Sequence, residues 1–537
     1  MALAVATAFI VHARGWVFLC DDAFISFRYA RNLAEHGAVV FNIGVDPPEM
    51  VEGYTNFAWV VVLAGLHAVG WAPPEAADAL TQLGALAGMV AAVVLVRTLR
   101  RRFAPGGDPR LQALDLVPAV LLVSVPEHMV WSHSGLETSW AGAVTIGAMA
   151  AWSADRYRTA AILAAVTALL RPDGLLPIAA FGVVWLLVVG GPVLWRERAA
   201  AWARVPRRRM VQAAMLFTVP LVVHLLWRRS YYGEWLPNTW AIKAHGALLR
   251  ETYGTFYVQA WLEAMPLVYL APLLLALRPR HALAVVPAAM VVGYGYWVGG
   301  DFMAYSRFYV VATGLLAVLV GWLLADTARW IEGRTSVPIA HAVALLVAVA
   351  MAAALGRQTH ARWTKDMAKS AGWIDGKWEG VAAMDRFARV GHAVGQWMHD
   401  NLPPQTLISV GAAGAVPYGA QLPIVDGFGL VDPHLVHMPK LRPRKGPGAR
   451  PGHQIIAPVS YMKERDPDLL CHVGYRGARR PGERRVHPAF RRGYAWACIE
   501  LPPVVDPRAP GGERDVGVYC CRRPRDREVG PFGRRER

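Results

Sequence analysis

The sequence is poor in cysteine, and its cysteines are not spaced as metal ligands are. The five cysteines among 537 residues are Cys20, Cys471, Cys498, Cys520 and Cys521. No pair has the C-x-x-C spacing typical of zinc sites, and the C-terminal histidines fit no ligand motif. We therefore expect no cofactor and no metal, with a divalent ion left open. If the C-terminal region is outside the cytoplasm, a disulfide is possible there, but spacing does not reveal which cysteines pair.

Acidic residues are scarce relative to basic ones. Asp and Glu number 39 against 56 Lys and Arg, which gives a net charge of +17 and a pI of about 9.9. A chain this basic is compatible with nucleic-acid binding. Many of the arginines, however, lie in short loops between apolar runs, where they orient a membrane protein. The charge pattern therefore predicts no nucleic-acid partner.

A glycine-rich phosphate loop and an internal repeat are both missing. The run VVGYGYWVGG, residues 291–300, lies within and at the end of an apolar segment, where glycines allow close helix packing. Transporters built from broken helices usually carry paired repeats. Since we find no such repeat, the sequence favours an enzyme over a transporter.

Long apolar runs are abundant. Hydrophobic residues make up 55% of the chain, and the mean hydropathy is +0.28. The runs have the length of helix that crosses roughly 30 Å of hydrocarbon, and they lack the alternation of barrel strands. We therefore predict an α-helical polytopic membrane protein with about eleven transmembrane helices. The predicted spans are 2–19, 78–96, 112–125, 138–153, 159–171, 174–190, 211–227, 256–277, 282–298, 309–325 and 337–355.

Arginine clusters predict which loops face the cytoplasm. The clusters at 97–102, 196–209, 278–280 and 329–334 each follow an even-numbered span. With the N-terminus inside, all these loops are cytoplasmic and the intervening loops face outward.

Two apolar segments need separate interpretation. Counting residues 57–71 as a span would place the first arginine cluster outside, so we predict a helix lying on the outer membrane surface. The first span is short and contains His12 and Arg14. Because it lacks a clear cleavage site, an anchored helix is favoured over a signal peptide.

The composition changes near residue 356. The strand-like runs TLISVGAAGAV, LPIVDGF, YAWACIEL and DVGVYC alternate with helical stretches such as 381–400. This pattern is typical of a small α/β domain. We therefore predict a transmembrane domain over 1–355, containing a first outer loop at 20–77. An extracytoplasmic α/β domain over 356–522 and a basic disordered tail over 523–537 follow.

Two adjacent carboxylates open the first outer loop. Asp21 and Asp22 repel one another, and partial burial makes one of them a better proton acceptor, as a general base requires. Asp is also a favoured helix cap and suits the positive end of the helix dipole. The motif alone leaves base and cap equally open. The residues that follow, FISFRYARNLAEH, predict an amphipathic helix on the membrane surface.

Other predicted outer loops carry charged groups close to membrane depth. They contain the sequences WSHSGLETSW, RPDG, LPNTWAIK and GGDFMAYSRF. Turn formation and interfacial aromatic residues account for each loop taken singly. Together they indicate function, since charges at this depth are costly. Their cations could bind a phosphate and their acids could hold sugar hydroxyls, whereas lipid-headgroup contact is the alternative for each cation.

The order of these features resembles the GT-C superfamily, integral-membrane glycosyltransferases that use polyprenyl-phosphate sugars. More closely, seven segments resemble the terminal β-(1→2)-arabinofuranosyltransferase family of actinobacterial cell walls. They are DDAFISFRYARNLAEHG, EGYTNFAW, WSHSGLET, RPDG, LPNTWAIK, GGDFMAYSRF and DGFGLVDPH. The resemblance covers roughly residues 20–470. The short first span and the basic stretch at 440–452 depart from the family pattern.

The resemblance implies an inverting glycosyltransferase at the bacterial inner (plasma) membrane, with its active site outside the cytoplasm. It would transfer a sugar, with arabinofuranose as one candidate, from a polyprenyl-phosphate donor to a cell-envelope glycan or glycolipid. Donor, acceptor and membrane lipids would be its partners. The alternatives are a transporter or flippase of lipid-linked saccharides and a non-catalytic envelope assembly factor.

The resemblance also implies roles for single residues. One of Asp21 and Asp22 would be the base that deprotonates the acceptor hydroxyl. The donor phosphate would be bound by Lys243 and Arg307, followed by Arg171 and Arg28. Sugar or acceptor binding would involve Glu52, Tyr54, Asn56, Glu137, Asn238, Asp301, Asp426 and His434. For Asp426, Asp432 and His434, a structural network within a turn is the alternative.

Overall fold

The computed structural model is mostly helical and contains one small mixed sheet. It describes residues 2–104, 111–190, 207–244, 250–264, 278–332, 334, 336–368, 373–374, 378–439, 441, 443, 451–471, 488–501, 504–505, 513–514 and 518–532. The chain divides into two compact units. Unit 1 comprises Met1–Val17, Ala77–Trp227 and Leu248–Lys369, and unit 2 comprises Phe18–Ala76, Arg228–Ala247 and Ser370–Arg537.

This division differs from the predicted domains, which were contiguous along the chain. The first outer loop belongs to the same compact unit as the C-terminal region, not to the unit that contains the apolar helices.

Long apolar helices form most of unit 1. The helices that lie in it wholly or mainly are Ala2–Ala13, Pro73–Phe103, Val117–Leu122, Pro126–Val130, Thr138–Ser153, Tyr157–Leu170, Leu175–Trp185, Arg207–Tyr232, Thr255–Ala264, Ala282–Trp297, Val310–Glu332 and Val337–Ala368. The helix Val310–Glu332 is central, and most of its residues are buried. By contrast, the helix Arg207–Tyr232 exposes a row of valines and leucines, as expected of a lipid-facing helix.

Fewer helices pass a test for membrane crossing than the eleven predicted. By length and composition, five segments of the described chain qualify, or six if Ala2–Trp16 and Asp21–His36 are counted as one broken span. The five are Pro73–Phe103, Pro172–Gly190, Arg207–Tyr232, Arg307–Glu332 and Val337–Met367. The predicted spans 138–153, 159–171 and 282–298 are helices of only 14 to 16 residues. Part of the predicted span 256–277 lies outside the described residues, so the number eleven stays a prediction.

Unit 2 combines short helices with strands. Its helices are Asp21–His36, Phe57–Ala68, Asn238–Ala244, Val381–Asn401, Ala415–Ala420 and Val459–Arg465. The predicted amphipathic helix is observed at Asp21–His36 and ends at Gly37, which adopts a left-handed conformation with φ of 66°. The apolar segment predicted at 57–71 forms the 12-residue helix Phe57–Ala68.

The described strands are β1 (Trp373–Ile374), β2 (Trp378–Glu379), β3 (Ile408–Val410), β4 (Ile424–Asp426), β5 (Leu469–Leu470), β6 (Tyr494–Glu500), β7 (Val504–Val505), β8 (Glu513–Arg514) and β9 (Val518–Pro524). Five of them form a sheet in the order β4-β3-β5-β9-β6, in which β3 is parallel to β4 and β5 while β9 is antiparallel to β5 and β6. Each of the four predicted strand-like runs contributes one strand to this sheet.

Two disulfides join strands of this sheet or their flanking residues. Cys498 on β6 lies directly opposite Cys520 on β9, and the two form one disulfide. Cys521 bonds to Cys471, which follows β5. Cys20 is buried and belongs to neither disulfide.

Part of the predicted disordered tail is folded. Strand β9 continues to Pro524, and the side chain of Arg523 is buried. The Arg527 guanidinium forms ion pairs with Asp466 and Asp468, 3.1 Å from the latter. Residues 533–537 of the predicted tail lie outside the described residues.

Candidate functional site

The two adjacent aspartates have different surroundings. Both lie in the first turn of the helix Asp21–His36, after Cys20 at the N-cap position. The Asp21 carboxylate accepts a hydrogen bond of 2.8 Å from the backbone N–H of Ala415. Asp22 is half-buried, and no described residue forms a hydrogen bond or ion pair with it. Asp21 thus holds two chain segments together, while the Asp22 carboxylate remains available.

Gly414 allows Asp21 to take this position. A Cβ atom at residue 414 would lie 2.1 Å from the Asp21 carbonyl oxygen and 2.4 Å from its Oδ2 atom. Real Cβ atoms do not approach other atoms so closely, so any larger residue would displace the start of the helix. The position of Asp22 therefore depends indirectly on this glycine.

Arg28 directs its guanidinium at backbone carbonyls instead of at an open site. Its nitrogens donate to the carbonyl oxygens of Phe41, Pro417 and Leu422 at 2.7 to 2.8 Å. The residue is only 3% exposed, and burial lowers its pKa to about 9, with repulsion from Arg31 as a smaller cause. Arg28 fixes the segment that was predicted as the first outer loop, and its guanidinium is bonded to backbone carbonyls, so we do not retain it as a phosphate ligand.

The motif EGYTN is held by similar internal contacts. The Glu52 carboxylate accepts two hydrogen bonds from one edge of the Arg228 guanidinium, from Nε at 2.5 Å and from Nη2 at 3.1 Å. Burial raises the pKa of Glu52 although Arg228 acts in the opposite direction. The Tyr54 hydroxyl contacts the Tyr232 hydroxyl at 3.1 Å.

Asn56 completes the set of buried polar residues in this motif. It exchanges hydrogen bonds with Ser26 on the neighbouring helix, and both residues are buried. Glu52, Tyr54 and Asn56 therefore have structural partners within unit 2.

The acids of the segment DGFGLVDPH bond within the segment. A structural network within a turn was the alternative to sugar or acceptor binding for these residues. The Asp426 carboxylate accepts the backbone N–H groups of Phe428 and Val431, at 2.8 and 3.0 Å. Burial raises the pKa of Asp426 to about 7, against the effect of these hydrogen bonds. Asn238 donates to the carbonyl oxygens of Gly429, Leu430 and Asp432, so it fastens this loop from another chain segment.

The remaining polar residues of this region differ in exposure, and Asp432 is buried. Asp432 accepts the hydroxyl of Tyr461 at 2.7 Å and two backbone N–H groups. The His434 side chain is 55% exposed, with its Nε2 atom 4.0 Å from Glu49. Lys243 is exposed, and its side chain lies beside Gly452. A Cβ atom added at residue 452 would be 3.5 Å from the Cε atom of Lys243. His434 and Lys243 are thus the accessible members of the predicted set in unit 2.

Unit 1 contains a pocket that brings two predicted phosphate ligands together. Arg171 and Arg307 both line it, with Asp173, Tyr294 and Phe308. The Phe308 ring lies 5.1 Å from the Arg171 guanidinium and 5.4 Å from that of Arg307. RPDG and SRF, distant in sequence, thus contribute to one site.

Carboxylates accompany both arginines. Arg171 pairs with Asp173 at 3.0 Å and lies 3.7 Å from Glu137. Arg307 pairs with Asp301 at 2.7 Å. Three carboxylates therefore accompany two guanidinium groups, and a bound phosphate would share the arginines with these acids. The carboxylates are also suitable acceptors for sugar hydroxyls.

No group of three or more histidines, cysteines or acids within the described ranges is arranged to hold a metal ion. Sequence reasoning missed the partners of the site residues, in particular Arg228, Tyr232 and Phe308. Arg228 directly follows an apolar run and reads as an interfacial charge. Its pairing with Glu52, 176 residues away, has no local signal.

One family model matches part of the chain. Residues 380–519 match a family described as "Domain of unknown function (DUF8728)". That match covers less than half of the chain. No curated protein matches the sequence.

Among solved structures, two similarities are representative. ArnT from Cupriavidus metallidurans, bound to undecaprenyl phosphate, is 14% identical over 97% of each chain, with a TM-score of 0.48. The archaeal oligosaccharyltransferase AglB from Archaeoglobus fulgidus, in complex with an inhibitory peptide and a dolichol-phosphate, is 12% identical over 80% of this chain and 65% of that chain, with a TM-score of 0.43. Because both TM-scores are below 0.5, we draw no conclusion from them about fold or activity.

Proposed function

We propose that this protein is an inverting glycosyltransferase that transfers a sugar from a polyprenyl-phosphate donor to an envelope glycan or glycolipid. The observation that carries the proposal is the difference between two adjacent carboxylates. Asp21 accepts a hydrogen bond from the backbone of Ala415, whereas no described residue bonds to Asp22. Both lie in the motif that resembles the arabinofuranosyltransferase family. Arabinofuranose is the first sugar to test.

In the proposed reaction, Asp22 accepts the proton of the acceptor hydroxyl. The acceptor oxygen forms a bond to the anomeric carbon as the bond from that carbon to the phosphate oxygen breaks. The electron pair leaves with the polyprenyl phosphate, and the anomeric configuration inverts. Since phosphate is a good leaving group, the protein needs to supply a base, positive charge and orientation. The candidates for the positive charge are Lys243, which lies in the same unit as Asp22, and, as alternatives, Arg171 and Arg307, which line the pocket of unit 1.

The contacts within unit 2 support the predicted topology. Its three segments, Phe18–Ala76, Arg228–Ala247 and Ser370–Arg537, fall mainly in the regions predicted to face outward. Because Glu52 and Arg228 form an ion pair, they lie on the same side of the membrane, and the chain between them crosses it an even number of times.

An even number of crossings requires membrane spans in addition to the helices that qualify by length and composition. Three of the five qualifying helices begin between Glu52 and Arg228, and Arg228 lies near the end of the third, so the number of crossings is odd. The six spans predicted there give the required even number. At least one shorter helix, such as Thr138–Ser153 or Tyr157–Leu170, therefore crosses the membrane in the proposed topology.

The disulfides support an extracytoplasmic location for unit 2. Cys471–Cys521 and Cys498–Cys520 both lie in this unit. Disulfides form and persist mainly in oxidising compartments, among them the bacterial periplasm.

The test is a transfer assay with purified, reconstituted protein. Radiolabelled polyprenyl-phosphate sugars, including arabinofuranose, are offered with an envelope glycan extract as acceptor. We expect transfer of one sugar by the wild type and a loss of about 10²- to 10⁴-fold in Asp22→Asn, as for removal of a general base.

Asp21→Asn is the matched control. Its amide oxygen still accepts the Ala415 N–H, so we expect less than about a tenfold loss of transfer. Full activity of a folded Asp22→Asn protein would overturn the assignment of the base. If the folded wild type transfers no sugar but moves lipid-linked saccharide across vesicles, the protein is a flippase.

A further inference from the structure

Several basic side chains converge on one buried carboxylate in unit 1. Asp326, near the end of the helix Val310–Glu332, is paired with Arg280 and Arg329, each at 2.5 Å. The imidazole Nε2 of His281 lies 3.1 Å from the same carboxylate, and Arg278 lies 3.7 Å from it. One carboxylate thus organises three guanidinium groups and an imidazole.

A second ion pair adjoins this group. Arg100 is paired with the buried Asp115 at 2.9 Å, and its charge acts on Arg329 together with the charges of Arg278 and Arg280. The four guanidinium groups exceed the two carboxylates by two positive charges when His281 is neutral. Ion pairing within the cluster therefore leaves a positive excess.

The cluster also retains hydrogen-bonding capacity. The side-chain atoms Arg100 Nε, Arg280 Nε and His281 Nδ1 are buried and have no hydrogen-bond partner among the described residues. Arg278 is the accessible member, with 53% of its side chain exposed. An anion could therefore meet positive charge, an exposed arginine and unused donors in one place.

The surroundings are those of a membrane interface. Arg100 lies near the end of the apolar helix Pro73–Phe103, and the other arginines adjoin spans that are predicted to end in the cytoplasm. Trp330, next to Arg329, is 60% exposed, and Arg334 stacks over its ring at 3.7 Å. Exposed tryptophans and arginines are typical of the headgroup level of a bilayer.

We propose that the cluster of Arg100, Arg278, Arg280, His281, Arg329 and Asp326 binds the phosphate group of an anionic phospholipid on the cytoplasmic side. The positive-inside rule explains arginines in these loops, but it does not require them to converge on one carboxylate with an excess of charge. Basic pockets between membrane helices bind anionic headgroups in this way. The assignment is independent of the proposed transfer reaction.

The test measures lipid binding by the full-length protein in detergent. Phosphatidylglycerol is titrated against the protein, with phosphatidylcholine as the zwitterionic comparison, and bound lipid is counted by native mass spectrometry. Arg278→Gln should weaken phosphatidylglycerol binding about fivefold, since one arginine near an anionic surface has roughly that effect. The double variant Arg278→Gln/Arg329→Gln should weaken phosphatidylglycerol binding further. In this variant Asp326 still has Arg280 and His281 as partners.

Arg250→Gln is the matched control. Arg250 lies 4.5 Å from the ring of Trp297, in a loop predicted to face outward, so the control also removes an arginine beside an exposed tryptophan. It should leave phosphatidylglycerol binding at the wild-type level. Unchanged binding by Arg278→Gln, or an equal loss in Arg250→Gln, would overturn the site.

A phosphate titration separates the two sources of the anion. Inorganic phosphate at millimolar concentration is added to protein in phosphatidylcholine nanodiscs, and the unfolding temperature is measured. We expect no stabilisation. If phosphate alone raises the unfolding temperature of the wild type but not of Arg278→Gln, the site binds soluble phosphate and the lipid assignment fails.

Discussion

Three predicted site residues of unit 2 and two of unit 1 have different kinds of bonding partner. In unit 2, Arg28, Asn238 and Asp426 bond to backbone groups, and these bonds hold loops in place. In unit 1, Arg171 and Arg307 pair with carboxylate side chains and line a pocket. A side chain bonded to several backbone groups is committed to the fold, whereas a guanidinium paired with a carboxylate can share its donors with an incoming anion. The comparison separates residues that build the protein from residues available for chemistry.

The largest expected effect concerns the disulfides, which distinguish the units most sharply. All five cysteines lie in unit 2 and none in unit 1. Reduction should destabilise unit 2 by about 2–5 kcal/mol, as for loss of native disulfides in small domains. Thermal unfolding with and without dithiothreitol measures this loss, and circular dichroism should show that the apolar helices persist. A variant with serine at residues 471, 498, 520 and 521 should not respond to dithiothreitol; a shift equal to that of the wild type would contradict the prediction.

Arg28→Met tests whether a backbone-bound arginine is structural. The substitution leaves the carbonyl oxygens of Phe41, Pro417 and Leu422 without their donor, so we expect a stability loss of about 3 kcal/mol. Chemical denaturation measures the loss, and the transfer rate per folded molecule should change little. If the protein keeps its stability but loses affinity for the donor lipid, Arg28 belongs to the site after all.

Arg307→Lys tests whether an arginine that is paired with a carboxylate in the pocket of unit 1 takes part in the transfer reaction. Lysine keeps a positive charge beside Asp301 but lacks the planar fork that binds phosphate with two hydrogen bonds. We expect a decrease of about 100-fold in transfer rate and an unfolding temperature close to that of the wild type. The rate and the unfolding temperature are measured on the same preparation. A fall in unfolding temperature without a loss of rate would make this ion pair structural, like those of unit 2.

A further expected effect is a pH dependence of stability. Burial raises the pKa of Asp426 to about 7, above that of an unfolded aspartate, so the folded protein favours the protonated form. Its contribution to stability is therefore complete below about pH 4 and decreases as the pH rises to 7. Glu127, whose pKa burial also raises to about 7, acts in the same direction in unit 1.

Comparison of the wild type with Asp426→Asn isolates the contribution of Asp426 to the pH dependence of stability. The amide does not ionise and can still accept one of the two backbone hydrogen bonds. We expect the variant to have a lower unfolding temperature than the wild type at every pH. Its unfolding temperature should decrease by a few degrees less than that of the wild type between pH 4 and 7. Parallel slopes for the variant and the wild type would show that Asp426 does not titrate in this range.

Local patterns predicted much of the secondary structure. The apolar and charged residues after Asp22 indicated the helix Asp21–His36, and Gly37 ends it. The β-branched and aromatic runs near the C-terminus indicated β3, β4, β6 and β9. Both signals depend on residues within one turn or one strand, so a single sequence contains them.

Contacts between distant segments were not predictable in the same way. Ala415, which donates to Asp21, is 394 residues away, and the pairing of Cys471 with Cys521 depends on the order of strands in the sheet. The difference between Asp21 and Asp22 follows from such a contact, which is why the motif left the base unassigned. The sequence also predicted contiguous domains, whereas unit 2 combines three separate segments.

The hydrogen bonds of Arg28 have a consequence for biosynthesis. Its acceptor Pro417 lies 389 residues later in the chain. At roughly 5–20 residues per second, a ribosome needs about 20–80 s to reach that acceptor after Arg28 is made. Throughout this interval the segment around Arg28 lacks two of the three carbonyl groups that fix it, those of Pro417 and Leu422. Unit 2 therefore completes its fold only late in translation, and a translocation machinery or chaperone that retains the early segment would limit its premature aggregation.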